Sequence, residues 1–587
     1  SVTPTRSRWF DSAAPCGARD NGEMHDLVIR NGRVVDGTGA AARIADVAID
    51  DGVITVVGEV ANAGIREIDA TGHIVTPGWV DVHTHYDGQV SWDPVMAPSS
   101  QHGVTSVVMG NCGVGFAPVR PDAHEFLIEL MEGVEDIPGS ALVEGISWDW
   151  ESFPEYLDAL EAMPRTIDVG AQIPHAAVRA YVLGERAHEY DVTPDEIAQM
   201  VEITRQGLAA GAFGFSTSRT FLHTSKHGHV PGTYSTPDEV IALGEAVRDS
   251  GHALFQYVSD DQGQGGDEPW LDTLNAMGCP TTYTLAQTPA DPTAFRTALA
   301  AAVSATAAGS PMTPQVAVRP TGMLYGLQSS FHPFIAHPSY RAIRDLPLAE
   351  RAAKLGDPEF RAALLDEDPF TKDRFAKYMA TNWSQMYRLG DPPDYEPPIE
   401  ASAGAIAERE GRHPGEVVLD WLVEDDGEAF MFSPLGNYHE HNHDVIREML
   451  DHDITIPGAS DGGAHCGLIC DASFPTYLLT HWARDRSRGP KLPLERVVQL
   501  QTSKTADAYG LKDRGRIEVG KLADINVIDF DNLHLHAPKM VHDLPAGGRR
   551  LLQDVDGYRY TIKSGQVTFE DGKPTGARPG GVLRSGR

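Results

Sequence analysis

The chain has 587 residues, 41% of them hydrophobic and 22% charged, a globular composition and more length than one simple domain needs. Its 48 basic residues against 83 acidic ones leave a formal net charge of −35, which repels nucleic acid and anionic membrane and argues against both as partners. No apolar run approaches the roughly eighteen residues of a membrane span, and five cysteines, an odd and sparse number, point to a reducing cytoplasm rather than a disulfide framework.

Residues 1–23 read as an unstructured leader. From Met24 to about Pro77, LVIRNGRVVDG, DVAIDDGVITVVG and REIDATGHIVTPG alternate apolar and polar positions and break at Asn-Gly, Asp-Gly and Thr-Gly, which predicts short strands and tight turns. The same texture returns after about Asp513. Residues 24–77 and 513–575 are therefore expected to form one small β-sandwich built from both chain ends. Between them, over 78–512, apolar strands alternate with helical stretches, as in a parallel α/β architecture. Candidate strands are 78–85, 104–111, 167–175, 212–218, 253–259, 281–287 and 454–461, with an eighth from either VAVRP (316–320) or AFMFS (429–433). Eight is the number a (β/α)8 TIM barrel requires. The helix beginning TPDEIAQM is expected to have Thr193 as N-cap and Pro194 at its first position. The long, helix-rich stretch 325–415 is expected to be a lid-like insertion.

Three motifs carry chemistry. In Asp81-Val82-His83-Thr84-His85, alternate strand positions face the same way, so His83 and His85 project together from the end of the first barrel strand, a pairing suited to zinc or a similar ion. Gly110-Asn111-Cys112-Gly113 places a cysteine at the end of the next strand, as a soft ligand or as a buried inert thiol. Ser460-Asp461-Gly462-Gly463-Ala464-His465 closes the last strand with a carboxylate able to hold a metal and to take a proton from water, and with a histidine that either reaches a substrate oxygen or stabilises the turn. Cys466 and Cys470 lack the second pair that a structural zinc site needs. His439, His441 and His443 in NYHEHNHD are read as polar surface, and His175 as a strand-end donor to substrate or a packed polar histidine.

TPGWVDVHTHYD, HGVTSVVMGNCG, GASDGGAH and GKLADINVID together resemble the amidohydrolase superfamily, and the Asn-Cys-Gly segment with AGAFGFSTS is similar to its D-aminoacylase (N-acyl-D-amino-acid deacylase) branch, over about 26–572. The resemblance implies a metal-dependent barrel hydrolysing an amide-type C–N bond of a small-molecule substrate. It implies His83 and His85 as ligands, Cys112 as a bridging ligand, and Asp461 as ligand and general base. The chain departs from that pattern on the fifth and sixth strands, where histidines are expected and Gln256 and Gln287 are the nearest polar residues. With a second ligand pair gone, one divalent ion per chain, zinc foremost, is expected. The lysine and arginine that hold a substrate carboxylate in D-aminoacylases are also missing. Tyr283, Gln287, Arg319, His175 and His465 are the candidate substrate contacts. Cyclic-amide ring opening, deamination and a catalytically silent binding barrel remain readings of the same core. Large barrels of this kind often pair, so a homo-oligomer is an open expectation.

Overall fold

The computed structural model describes residues 24–260, 269–369 and 374–586; the expected leader, 1–23, lies outside them. The fold is α/β. Seven of the parallel strands fall where the sequence places them: Trp79–Asp81, Val104–Met109, Asp168–Ala171 continued by Ile173–Pro174, Gly214–Arg219, Leu254–Ser259, Thr281–Thr284 and Ile456–Pro457. The remaining one is Met312–Val316, paired in parallel with Thr281–Thr284 on one side and Ile456–Pro457 on the other. It only touches VAVRP. AFMFS instead supplies Met431–Pro434 to a separate sheet, antiparallel to Gly322–Tyr325 and Tyr387–Arg388. Every consecutive pair is parallel, and the last segment returns to the first through a parallel bridge between Thr84 and Gly462.

Helices fill the connections. Pro194–Ala210 starts with the expected cap: Thr193 accepts from the Glu196 amide while Glu196 reaches back to Thr193, a reciprocal capping box. The stretch between Val316 and Ile456 is larger than 325–415 alone. It holds its own apolar cluster, with Tyr325, Leu355, Leu364, Met386, Val418 and Met431 buried.

A nine-stranded sheet joins both chain ends. Ile525–Ile528 lies between Ile74–Pro77 and Tyr558–Lys563, so C-terminal strands complete an N-terminal sheet. The hairpin His534–Leu544/Gly548–Asp556 departs from the expected sandwich. Among the described residues it pairs only with itself, and it packs over the parallel strands' connecting loops, with Leu551 donating its amide to the Cys466 carbonyl at 2.7 Å. No helix among the described residues is long and apolar enough to cross a membrane.

Candidate metal centre

His83, His85 and Cys112 each offer a ligand atom within 4.8 Å of the others. His83 Nε2 lies 3.3 Å from Cys112 Sγ and 3.4 Å from Asp461 Oδ1, and His85 Nε2 lies 3.6 Å from the same oxygen. Metal–ligand bonds of about 2.0–2.3 Å place neighbouring ligands of a tetrahedral ion about 3.3–3.6 Å apart. These separations fall in that range, and the three donors His83, His85 and Cys112 converge as a group, with Asp461 Oδ1 against the two imidazoles. Gln315 fixes the tautomer of His83: its Oε1 accepts from His83 Nδ1 at 2.6 Å, leaving the Nε2 lone pair for the cluster. Gln315 itself is held by Nε2 contacts to Thr282 Oγ1 and the Tyr509 hydroxyl.

Local backbone explains why the motifs read as they do. Cys112 has φ +56°, between Gly110 at +76° and Gly113 at +74°. A Cβ on Gly110 would meet the Gln172 carbonyl at 2.3 Å, so the chain turns there only with glycine. Asn111 braces the turn through Nδ2 bonds to the Thr84 and Val108 carbonyls. Asp461 and His465 are also left-handed, at φ +49° and +51°. Such backbone strain at side chains that converge on one point is characteristic of binding and catalytic sites.

Charges couple across the cluster. Burial opposes ionisation of Asp461, but the imidazoles of His85, His83 and His465 outweigh it and hold the carboxyl well below its ordinary range. Burial likewise opposes the Cys112 thiolate, and His83 and His85 reverse the balance and lower the thiol. His83 is pushed up to about 9: burial resists, and Cys112 and Asp461 prevail. In this arrangement the thiol and the carboxyl favour their anionic, ligand-competent forms.

Sequence reasoning missed Glu135, the last residue of helix His124–Glu135. It is buried, with Oε1 3.4 Å from His85 Nδ1 and Oε2 3.4 Å from His465 Nε2. The connection is built: the His465 amide donates to the Glu135 carbonyl, and Asp136 next to it accepts from the Gly467 amide and Ser330 Oγ. The inserted segment thus locks the helix end against the loop that carries His465. His223, likewise unforeseen, contacts Ser218 Oγ at 3.0 Å, and burial pushes it down to about 4 against the pull of Glu135.

Four expected substrate contacts are engaged by the protein itself. His175 is held on both ring nitrogens, by Thr217 at 2.8 Å and Glu239 at 2.7 Å. The Tyr283 hydroxyl donates to the Ala298 carbonyl of a covering helix. Gln287 bonds Glu440 through its amide nitrogen and the His439 amide through its oxygen, and lines a cavity of about 230 Å³ with Asn437 and Tyr438. Arg319 is neutralised by Asp471 at 2.8 Å and stacked 3.8 Å over Tyr395. Gln256, by contrast, reaches the centre: its Oε1 accepts from the Cys112 amide at 3.0 Å. His443, read as surface, is fully buried beside Glu396 and His481.

A profile of the amidohydrolase family matches residues 66–569. The chain is 28% identical to an uncharacterized protein of Mycobacterium tuberculosis over 96% of both chains. It is 26% identical to the N-acyl-D-glutamate deacylase of Alcaligenes xylosoxydans xylosoxydans over 96% of this chain and 97% of that one. Among solved structures, the N-acyl-D-glutamate deacylase from Bordetella bronchiseptica, complexed with zinc and a phosphonate inhibitor, superposes with a TM-score of 0.62 at 23% identity, covering 96% of this chain and 100% of that one. A D-aminoacylase structure gives 0.62 at 22% identity, covering 95% and 100%.

Proposed function

The chain belongs to the amidohydrolase family, and on that premise we propose that it hydrolyses an amide-type C–N bond of a small molecule, as an N-acyl amino acid deacylase does, with one divalent ion, zinc foremost, held by His83, His85, Cys112 and Asp461. The observation that carries this reading is the convergence of His83, His85 and Cys112 within 4.8 Å, with Asp461 Oδ1 3.4 and 3.6 Å from the two imidazoles and the Nε2 lone pair of His83 directed inward by Gln315. An ion in that position would polarise a carbonyl and acidify water from about 15.7 toward about 7.

The residues do the rest. Asp461, kept ionised at neutral pH by the surrounding imidazoles, accepts a proton from the attacking water and returns it to the leaving nitrogen. Its second oxygen lies 4.0 Å from His465 Nε2, which places His465 to donate to the substrate carbonyl oxygen. Glu135 positions both His85 and His465 and completes a carboxylate–histidine pair behind the ligand. Burial of His83, His85, Cys112 and Glu135 strengthens their interactions, while Asp461 and His465 stay partly exposed, within reach of water and substrate.

The same proposal takes the circuit of parallel strands, with its Thr84–Gly462 return, as a (β/α)8 barrel over 78–512. It takes the sheet from 24–77 and 513–575 as a β-sandwich, less the hairpin, and the segment containing 325–415 as a positioning cover over the mouth. The buried free thiols Cys112, Cys279, Cys466 and Cys470 fit a cytoplasmic protein.

The substrate is neutral or cationic close to the scissile bond, or carries its carboxylate elsewhere, because the clamp lysine and arginine are missing and Arg319 is already paired with Asp471. Steady-state kinetics of the zinc-loaded protein with N-acetyl-D-methionine, N-acetyl-D-glutamate and their neutral amides tests this. The amides are expected to turn over faster than the acids. Free acids above about 10⁴ M⁻¹ s⁻¹ in kcat/KM would mean a relocated clamp, and turnover of cyclic amides alone would move the reaction to ring opening.

A further inference from the structure

A separate group of donors lies where the C-terminal hairpin meets the inserted segment. Asp391, His534 and His536 each present one ligand atom, all within 4.8 Å of one another. His534 and His536 sit two apart on the strand His534–Leu544, so both face one side, and their rings meet edge to face with centroids 4.5 Å apart. Asp391 comes from the other element and is tied to this strand by the Ala537 amide, which donates to its Oδ1 at 3.3 Å.

The protonation pattern suits a ligand set. His536 Nε2 donates to Asp556 Oδ2 at 2.7 Å, across the hairpin. In a neutral imidazole this leaves Nδ1 as the lone pair, and a carboxylate behind a ligating histidine is the arrangement that fixes ring orientation and raises basicity at metal sites. Neither imidazole is buried and Asp391 is exposed, so the donors are reachable from solvent.

We propose that Asp391, His534 and His536 form a peripheral site for a borderline divalent cation such as zinc, distinct from the centre at His83 and independent of it. Two imidazoles and a carboxylate are the donors such an ion selects, with water completing a tetrahedral shell. The bound ion would cross-link the hairpin to the inserted segment. The same hairpin holds the Cys466 carbonyl through Leu551, so the cross-link would brace the loop that carries His465.

The test is calorimetric titration of the full, chelator-stripped chain with zinc chloride, alongside the double variant His534→Ala/His536→Ala, Asp391→Ala and Asp556→Asn. The wild type should bind about one more equivalent of zinc than the double variant. Asp391→Ala, which keeps both histidines and removes one bond from the Ala537 amide, should weaken that equivalent, and Asp556→Asn should weaken it about 10- to 100-fold. Equal stoichiometry in wild type and double variant overturns the proposal. So does undiminished affinity in Asp391→Ala or Asp556→Asn, which would reduce the binding to ordinary chelation by two surface histidines.

Discussion

Two buried clusters in this protein use the same side-chain types to opposite ends. Around Asp461, the imidazoles of His83, His85 and His465 surround a carboxylate, and among the described residues no arginine or lysine pairs with it. Around Glu396, His443 and His481 also surround a carboxylate, His481 Nε2 at 3.0 Å, but Arg486 fills the centre with bonds of 3.1 and 2.9 Å to its two oxygens. Each has three groups spaced for an ion. Among the described residues, only the second is paired with a guanidinium. A guanidinium already supplies the charge that a metal would bring, so the second cluster is a closed structural network. Donor spacing alone does not identify a metal site; what occupies the middle does.

The largest effect should come from emptying the closed cluster. Arg486→Met leaves Glu396 buried without its cation, which should destabilise the fold by about 3–5 kcal/mol in urea denaturation while the metal content of the folded protein stays unchanged. Loss of metal from that variant would merge the two clusters into one system. Asp461→Asn probes the open cluster. Turnover should fall at least ~100-fold with the circular dichroism spectrum intact, since an amide cannot take the proton. Near-native kcat in that variant would remove Asp461 as the base.

Glu135→Gln is the next smaller step. Removing the charge behind His85 should lower zinc affinity about 10- to 100-fold, read by competition with a chelator, whereas Glu396→Gln should leave zinc affinity unchanged. Equal effects would erase the distinction between them. The smallest effect is in acid. Burial would raise Glu396, but its bonds from His481 and Arg486 hold it well below its ordinary 4.5. A depressed carboxyl contributes stability that is fully present above the unfolded value and lost as pH falls below about 4.5. Stability measured from pH 6 downward should therefore decline in the wild type, and less steeply in Glu396→Gln.

The open cluster was largely legible in the sequence and the closed one was not. His83, His85 and Cys112 stand at the ends of strands whose apolar runs are unambiguous, and strand alternation alone says which way they face. Asp461 follows the final strand in the same manner. Glu135 gave no such signal, because a glutamate at a helix end is ordinarily a solvated charge and only tertiary contact brings it to His85 and His465. The same holds for Glu396 and Arg486, ninety residues apart, which make NYHEHNHD look like surface although Tyr477 and Trp482 cover His443. The strand Met312–Val316 was misplaced because Pro314 and two polar residues interrupt it. Proline argues against an interior strand by propensity, yet Gln315 is the residue that orients His83.

The central claim is that the His83 cluster holds one ion. Elemental analysis of His534→Ala/His536→Ala, purified without added metal, tests it most directly, because any outer hairpin site is removed. About one divalent ion per chain is expected, falling to near zero when His83→Ala and His85→Ala are added. Two tightly held ions in the first protein, or one that persists in the second, would contradict the account.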